Sequence, residues 1–342
     1  MAISKLILVV ILIVLVVLAS VGVYFVSRPS GGGTLIIYSA DAYVSEVSYL
    51  SQGFSNQSGI ETSPPKGGGT FSLAQQIADG NPVSVFVSVS RSAVTSSYLK
   101  SEASGWAIAF ASDQMALAYS NASASNPAAK EVIRAYEAAT SSNNSKEWSG
   151  FYSSLTSGSV KVGISNPAAD PAGLRGWLVL EAAGMVYAQN ESYFASRMLQ
   201  NLGNITGASA ADLVAPLESG QIQFLFIYRS AAVSHGLEYL KLPSAVNFGD
   251  PKYTGFYSQF EYATSKGTES GSPILLLVTV PSDATNPSGS LAFVSYIVQH
   301  RSELESFGLT PLSPAVLYND TSVPTQISKL VLQGDVSLGG KL

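Results

Sequence analysis

A carboxylate stands at the foot of a helix within VGISNPAADPAGLR, residues 162–175. Val162 to Ile164 suit a pleated, half-buried backbone, and Ser165-Asn166-Pro167 ends the strand, since proline has no donor for a ladder. Asp170 comes just before Pro171, the order of an N-cap followed by proline in the first helical position. Ala172 and Gly173 leave the first turn bare, so an outside group can approach its backbone N–H donors. Such a terminus attracts anions. An ordinary capped helix that binds nothing has the same local sequence.

The device recurs. In LIIYSADAY, Ser39 and Asp41 stand where a strand gives way to a helix through Val44, Val47 and Leu50. In PPKGGGTFSLAQQIADG, Thr70 and Ser72 follow three glycines at the head of a short helix that stops near Gly80. In GASAADLVAPLESG, Ser209 and Asp212 have capping-box spacing. Four polar helix starts facing one cleft would make a site for a small, densely charged ligand.

These starts sit on an alternation of strands and helices, the pattern of an α/β architecture with parallel sheets. Strands are expected over 35–38, 84–89, 115–119, 161–164, 224–228 and 274–280. Helices are expected over 42–54, 72–79, 127–140, 171–188, 191–202, 211–218, 288–299 and 303–307, with polar breaks at 141–145 and 267–272. Crossings near Gln114 and Ile274 divide the chain into lobe 1, residues 34–112 and 274–342, and lobe 2, residues 113–273. Ligands of open α/β sheets bind beyond the carboxyl ends of strands, where the helix starts fall.

Composition narrows the function. Charged residues make up 12% of the 342, about half the usual fraction, and the net charge is -5. No basic stripe offers itself to nucleic acid. With no cysteine there is no disulfide, thiol nucleophile or cysteine-ligated zinc. The only histidines, His235 and His300, lie beside no triad or metal motif, and no nucleophile elbow or phosphate loop occurs, so no enzyme and no cofactor are expected.

Residues 6–27 are uncharged and almost wholly apolar, preceded by Lys5 and followed by Arg28. That length matches a membrane span of about 20 residues. A single-pass anchor over 1–28 with a cytoplasmic tip is expected, then a flexible linker over 29–33 and an extracellular globular part. A cleaved signal peptide is the competing reading, with Val17-Leu18-Ala19 as a cleavage site. Sequons at Asn56, Asn121, Asn143, Asn190, Asn204 and Asn319 agree with an exported glycoprotein.

Four ordered segments, SNPAADPAGLR, FASDQMALAY, LESGQIQFLFIYRSAAVSHGLEYLKLP and GSPILLLVTVP, resemble the substrate-binding proteins of tungstate/molybdate ABC importers, particularly their archaeal-type branch. SLAQQIADGNPV is similar to the helix after the second anion loop in the broader molybdate-binding family. The resemblance implies a type II periplasmic-binding-protein fold, with two lobes hinged around an interlobe cleft that closes on one oxyanion, and a membrane permease as partner.

In that branch two carboxylates bind the metal centre of the oxyanion. The resemblance assigns the first to Asp170 and the second, usually glutamate, to Asp212, which is shorter and could instead be a cap or outer-shell group. It also carries over Thr70 as a hydroxyl donor, Ala172 as a backbone donor and Tyr228 as a further donor. Where the family has a Gly-Ser pair, this chain has Asp41-Ala42, so Asp41 either caps its helix or alters the site. Arg91 and Arg175 are the candidates for charge compensation. A same-fold module with a changed ligand, and a structural surface or filament component, are the alternative functions.

Overall fold

The computed structural model describes residues 33–168, 170–264 and 267–342; the expected anchor over 1–28 lies outside them. No helix among the described residues is long and apolar enough to cross a membrane.

The chain begins β1 (Ile37–Ala40), α1 (Val44–Ser58), β2 (Lys66–Gly68), α2 (Thr70–Ala78), β3 (Val85–Ser88) and β4 (Trp106–Asp113). It continues through β5 (Met115–Tyr119), α3 (Pro127–Ser142), α4 (Ser145–Leu155), β6 (Val162–Gly163), α5 (Pro171–Ala188), α6 (Ser192–Gln200) and β7 (Asn204–Ile205). Then come α7 (Val214–Glu218), β8 (Phe224–Tyr228), β9 (Glu238–Lys241) and a hairpin of β10 (Glu261–Thr264) with β11 (Gly267–Ser270). The last elements are β12 (Ile274–Thr279), α8 (Pro287–His300), β13 (Thr310–Asn319), α9 (Thr325–Gln333) and β14 (Val336–Gly340).

These form a mixed α/β fold with two main sheets. One has seven strands in the order β14-β13-β4-β12-β3-β1-β2, the other five in the order β7-β6-β8-β5-β9. Two compact units divide the chain: residues to Ile108 with Val278–His300 and Leu317–Leu342, and Ala109–Leu277 with Arg301–Val316. The segment 301–316 thus belongs to the second unit, whereas the sequence grouping placed it with the first lobe.

In the first unit β1 is parallel to both β2 and β3, with Ala40 opposite Gly68 and Ser39 opposite Val87. The strand ends therefore deliver the segments beginning at Asp41, Gly69 and Val89 to one end of the sheet. In the second unit β6 is parallel to β7 and β8, while β5 is antiparallel to β8 and β9. An aromatic core of Trp148, Phe151, Tyr152 and Phe194 is buried between α4, α5 and α6.

Several elements were absent from the sequence reading. The segment 141–145, read as a break, is mostly helical: α3 runs on to Ser142, Asn143 adopts a left-handed conformation with φ 49°, and α4 begins at Ser145 after the Asn144 cap. β4 is buried along its whole length, so it lacks the two-residue alternation that marks a half-exposed strand.

Candidate solute-binding site

In the second unit the site grows from the parallel pairing of β6 with β7. Beyond the strands the pairing continues, with Ile164 N–H donating to the Ile205 carbonyl at 3.0 Å and Asn166 N–H to Gly207 at 2.8 Å. Two loops, 165–170 and 207–212, therefore leave the sheet side by side. Asn166 closes the first with its own side chain, which accepts the Ala168 N–H at 3.0 Å.

Asp170 ties the loops together. Its Oδ1 accepts the Ala172 N–H at 3.0 Å, the N-cap bond expected from the sequence. Its Oδ2 accepts the Ser165 hydroxyl at 2.8 Å and the Ala210 N–H at 2.6 Å. The Ala172 N–H, expected to serve a ligand, is given to Asp170 in this structure. Gly173 lets the first turn of α5 close on the strand, since a Cβ there would lie 2.1 Å from the Ser165 carbonyl oxygen.

Asp212 forms the capping box with Ser209: its carboxylate accepts the Ser209 N–H at 2.9 Å, and its own N–H donates to the Ser209 hydroxyl at 3.3 Å. Its side chain is exposed, on a 3-10 turn leading into α7.

Tyr228 ends β8 at the same sheet end. Its phenol oxygen accepts Arg175 Nη1 at 2.5 Å. Burial raises the pKa of Tyr228, the Arg175 charge opposes that rise, and the charges of Asp170 and Asp113 add to it. The phenol therefore stays protonated at neutral pH and keeps a proton to donate. Asp113, fully buried, accepts the Gln114 N–H at 2.7 Å and the Ser230 N–H at 3.3 Å, and also takes the Ser230 hydroxyl.

In the first unit Thr70 opens α2. Gly69, the N-cap residue, has no side chain to close the helix end. Thr70 is 9% exposed, and its Oγ1 is buried with no hydrogen-bond partner among the described residues. Nearby, Lys66 Nζ donates to Gln76 at 2.6 Å and to the Tyr38 phenol at 3.3 Å. Ser39 is fully buried and donates its hydroxyl to the Ala40 carbonyl at 3.1 Å. Asp41 opens a 3-10 turn, Asp41–Tyr43; its side chain lies outside the described atoms. Arg91 donates to the Lys341 carbonyl at 2.5 Å and lies 4.2 Å from the centre of the Tyr318 ring.

Residues 35–310 match the profile of the bacterial extracellular solute-binding proteins. The chain belongs to that family. It is 40% identical over 321 residues to an uncharacterized solute-binding protein of Sulfurisphaera tokodaii, covering 91% of this chain and 84% of that one. A second, from Saccharolobus solfataricus, is 38% identical over 314 residues, covering 90% and 78%. The fold is similar to a substrate-binding domain assigned to a molybdenum ABC transporter of Clostridium difficile, with TM-score 0.56 and 16% identity over 82% of this chain and 99% of that one. It is also similar to the periplasmic molybdate-binding protein of Azotobacter vinelandii, with TM-score 0.50 and 14% identity over 81% and 98%. At such identities the likeness is one of fold.

As a solute-binding protein, the chain belongs to a non-enzymatic family whose members carry no cofactor. Its own chemistry is recognition. The first unit gathers Ser39, Asp41 and Thr70 at one sheet end, and the second gathers Asp170, Ala172, Tyr228 and the Asp212 loop at one end of the other sheet. Sequence reasoning missed Ser165 and Ala210 as partners of Asp170, and Asp113 beside Tyr228. Only Asp113 left a local sign, as a lone acid inside the apolar run FASDQMALAY.

Proposed function

We propose that this solute-binding protein captures a tetrahedral oxyanion, tungstate or molybdate, outside the cell membrane and passes it to an ABC permease. The observation that carries the reading is Thr70. A buried hydroxyl without a partner is costly unless something completes it, and this one stands at an uncapped helix N-terminus, where an anion is favoured. Tyr228 adds a protonated phenol in the second unit. The motif resemblance and the named ligands of the fold neighbours support molybdate-like anions.

In this reading the first unit offers Thr70 and backbone donors near Asp41 to an oxyanion, and the second unit, taken by itself, offers Tyr228 and backbone donors at the start of α5. Asp170 and Asp212 keep the two neighbouring loops in place. The apolar segment 6–27 tethers the protein to the membrane, and its sequons carry glycans. Calorimetry of the purified full-length chain in detergent with tungstate, molybdate and sulfate tests the function. Tight binding of the first two over sulfate is expected. Equal, weak responses to all three would reject it.

A further inference from the structure

Arg175 lies in the second turn of α5, half-buried, with Nη1 on the Tyr228 phenol and its guanidinium carbon 5.7 Å from that ring's centroid. No ion pair joins it to a carboxylate among the described residues. Two acids near Tyr228 are satisfied by other donors. Asp170 accepts from Ser165, Ala172 and Ala210, and Asp113 accepts from Gln114 and Ser230. One of the five N–H donors of the Arg175 guanidinium is used, so its fork keeps donors for a ligand.

We propose that Arg175, oriented by Tyr228, grips and neutralises the captured oxyanion, and that Asp170 is a positioning residue instead of a ligand to the central atom. This rests on the capture reading above. The class of ligand is a dianion with two oxygens facing one way, because a guanidinium fork pairs two parallel N–H groups with two oxygens. Asp170 contributes indirectly. Through Ser165, Ala172 and Ala210 it fixes where α5 begins, and Arg175 rides on that helix.

Ligand charge separates the alternatives. Perrhenate has the tetrahedral shape of tungstate but one negative charge instead of two. Coulomb attraction to a fixed cation scales with that charge, so Arg175 must discriminate between the two anions. A carboxylate ligand to the metal centre would put the decisive loss at Asp170 instead.

The test measures tungstate and perrhenate affinities for the full-length chain, Arg175→Gln, Arg175→Lys and Asp170→Asn, each first shown folded by its ligand-free thermal transition. Arg175→Gln is expected to lose about 100-fold in tungstate affinity but only about 10-fold in perrhenate affinity, shrinking the preference about 10-fold. Arg175→Lys keeps the charge but not the fork, so it weakens both anions and retains the preference. Folded Asp170→Asn keeps tungstate binding within about 10-fold of the parent.

An unchanged preference in folded Arg175→Gln overturns the inference, as does abolished tungstate binding in folded Asp170→Asn. If Arg175→Gln does not fold, Arg175→Lys decides, and loss of the preference there overturns it. A parent that binds neither anion defeats the capture reading itself, and that failure appears before any variant is compared.

Discussion

The carboxylate of Asp170 accepts the backbone N–H of Ala210 at 2.6 Å, forty residues further along the chain. The bond converts a local helix cap into a brace between two loops. It exists because β6 and β7 run parallel and release their following segments on the same side of the sheet. A carboxylate suits the position because it only accepts, and Asp170 faces a hydroxyl and two backbone N–H groups.

Replacing Asp170 with asparagine should expose the brace. The amide oxygen still caps α5 through Ala172, but the NH2 group now meets the Ala210 N–H, which can only donate. Leaving that buried donor unsatisfied costs about 1–3 kcal/mol. Urea unfolding of ligand-free protein measures this, and stability equal to the parent would show that the Ala210 bond carries no weight.

Thr70→Val keeps the shape of the side chain and removes the orphan hydroxyl. Ligand-free stability should hold or rise by up to about 1 kcal/mol, because a buried group without a partner disappears. Oxyanion affinity should fall by about 10-fold, the worth of one good hydrogen bond. Parallel melting curves and calorimetry separate the effects; unaltered affinity would remove Thr70 from the site.

Glu181, on α5, is raised from 4.5 to about 7, first by burial and then by the charge of Glu191. Its Oε2 is buried without a hydrogen-bond partner among the described residues. Between those two pH values the folded protein holds a proton that the unfolded chain has released, so this group's contribution to stability declines as pH climbs through the window. Glu181→Gln should flatten that decline and make the protein more stable than the parent at pH 8. Chemical unfolding at pH 5 and pH 8 reads it; parallel pH dependence in both proteins would contradict the assignment.

Gly173→Ala tests the close approach of α5 to its strand. A methyl group 2.1 Å from the Ser165 carbonyl oxygen forces the helix away from the sheet. The cost should exceed about 2 kcal/mol, beyond an ordinary surface substitution. Oxyanion binding should weaken with it, since Asp170 and Arg175 flank that turn. A variant with the melting temperature of the parent would mean that the turn has room to shift.

The sequence by itself determined what neighbouring residues settle between themselves. The Asp170 cap, the Pro127 helix start behind the Asn126 side chain, and the reciprocal Ser209–Asp212 box all formed, because each needs partners only two or three residues away. β5 and β8 lie on the residues expected, since their apolar runs are bounded on both sides. β13 escaped notice because Pro311 and Pro314 lie inside it, and local rules read proline as a break. What only the tertiary structure decided is long-range pairing. The Asp170–Ala210 brace, the hold of Arg175 on Tyr228 fifty-three residues away, and the burial of the Thr70 hydroxyl all depend on which strands lie side by side. Sheet register sets that arrangement through contacts distant in the chain, and no window of adjacent residues contains it.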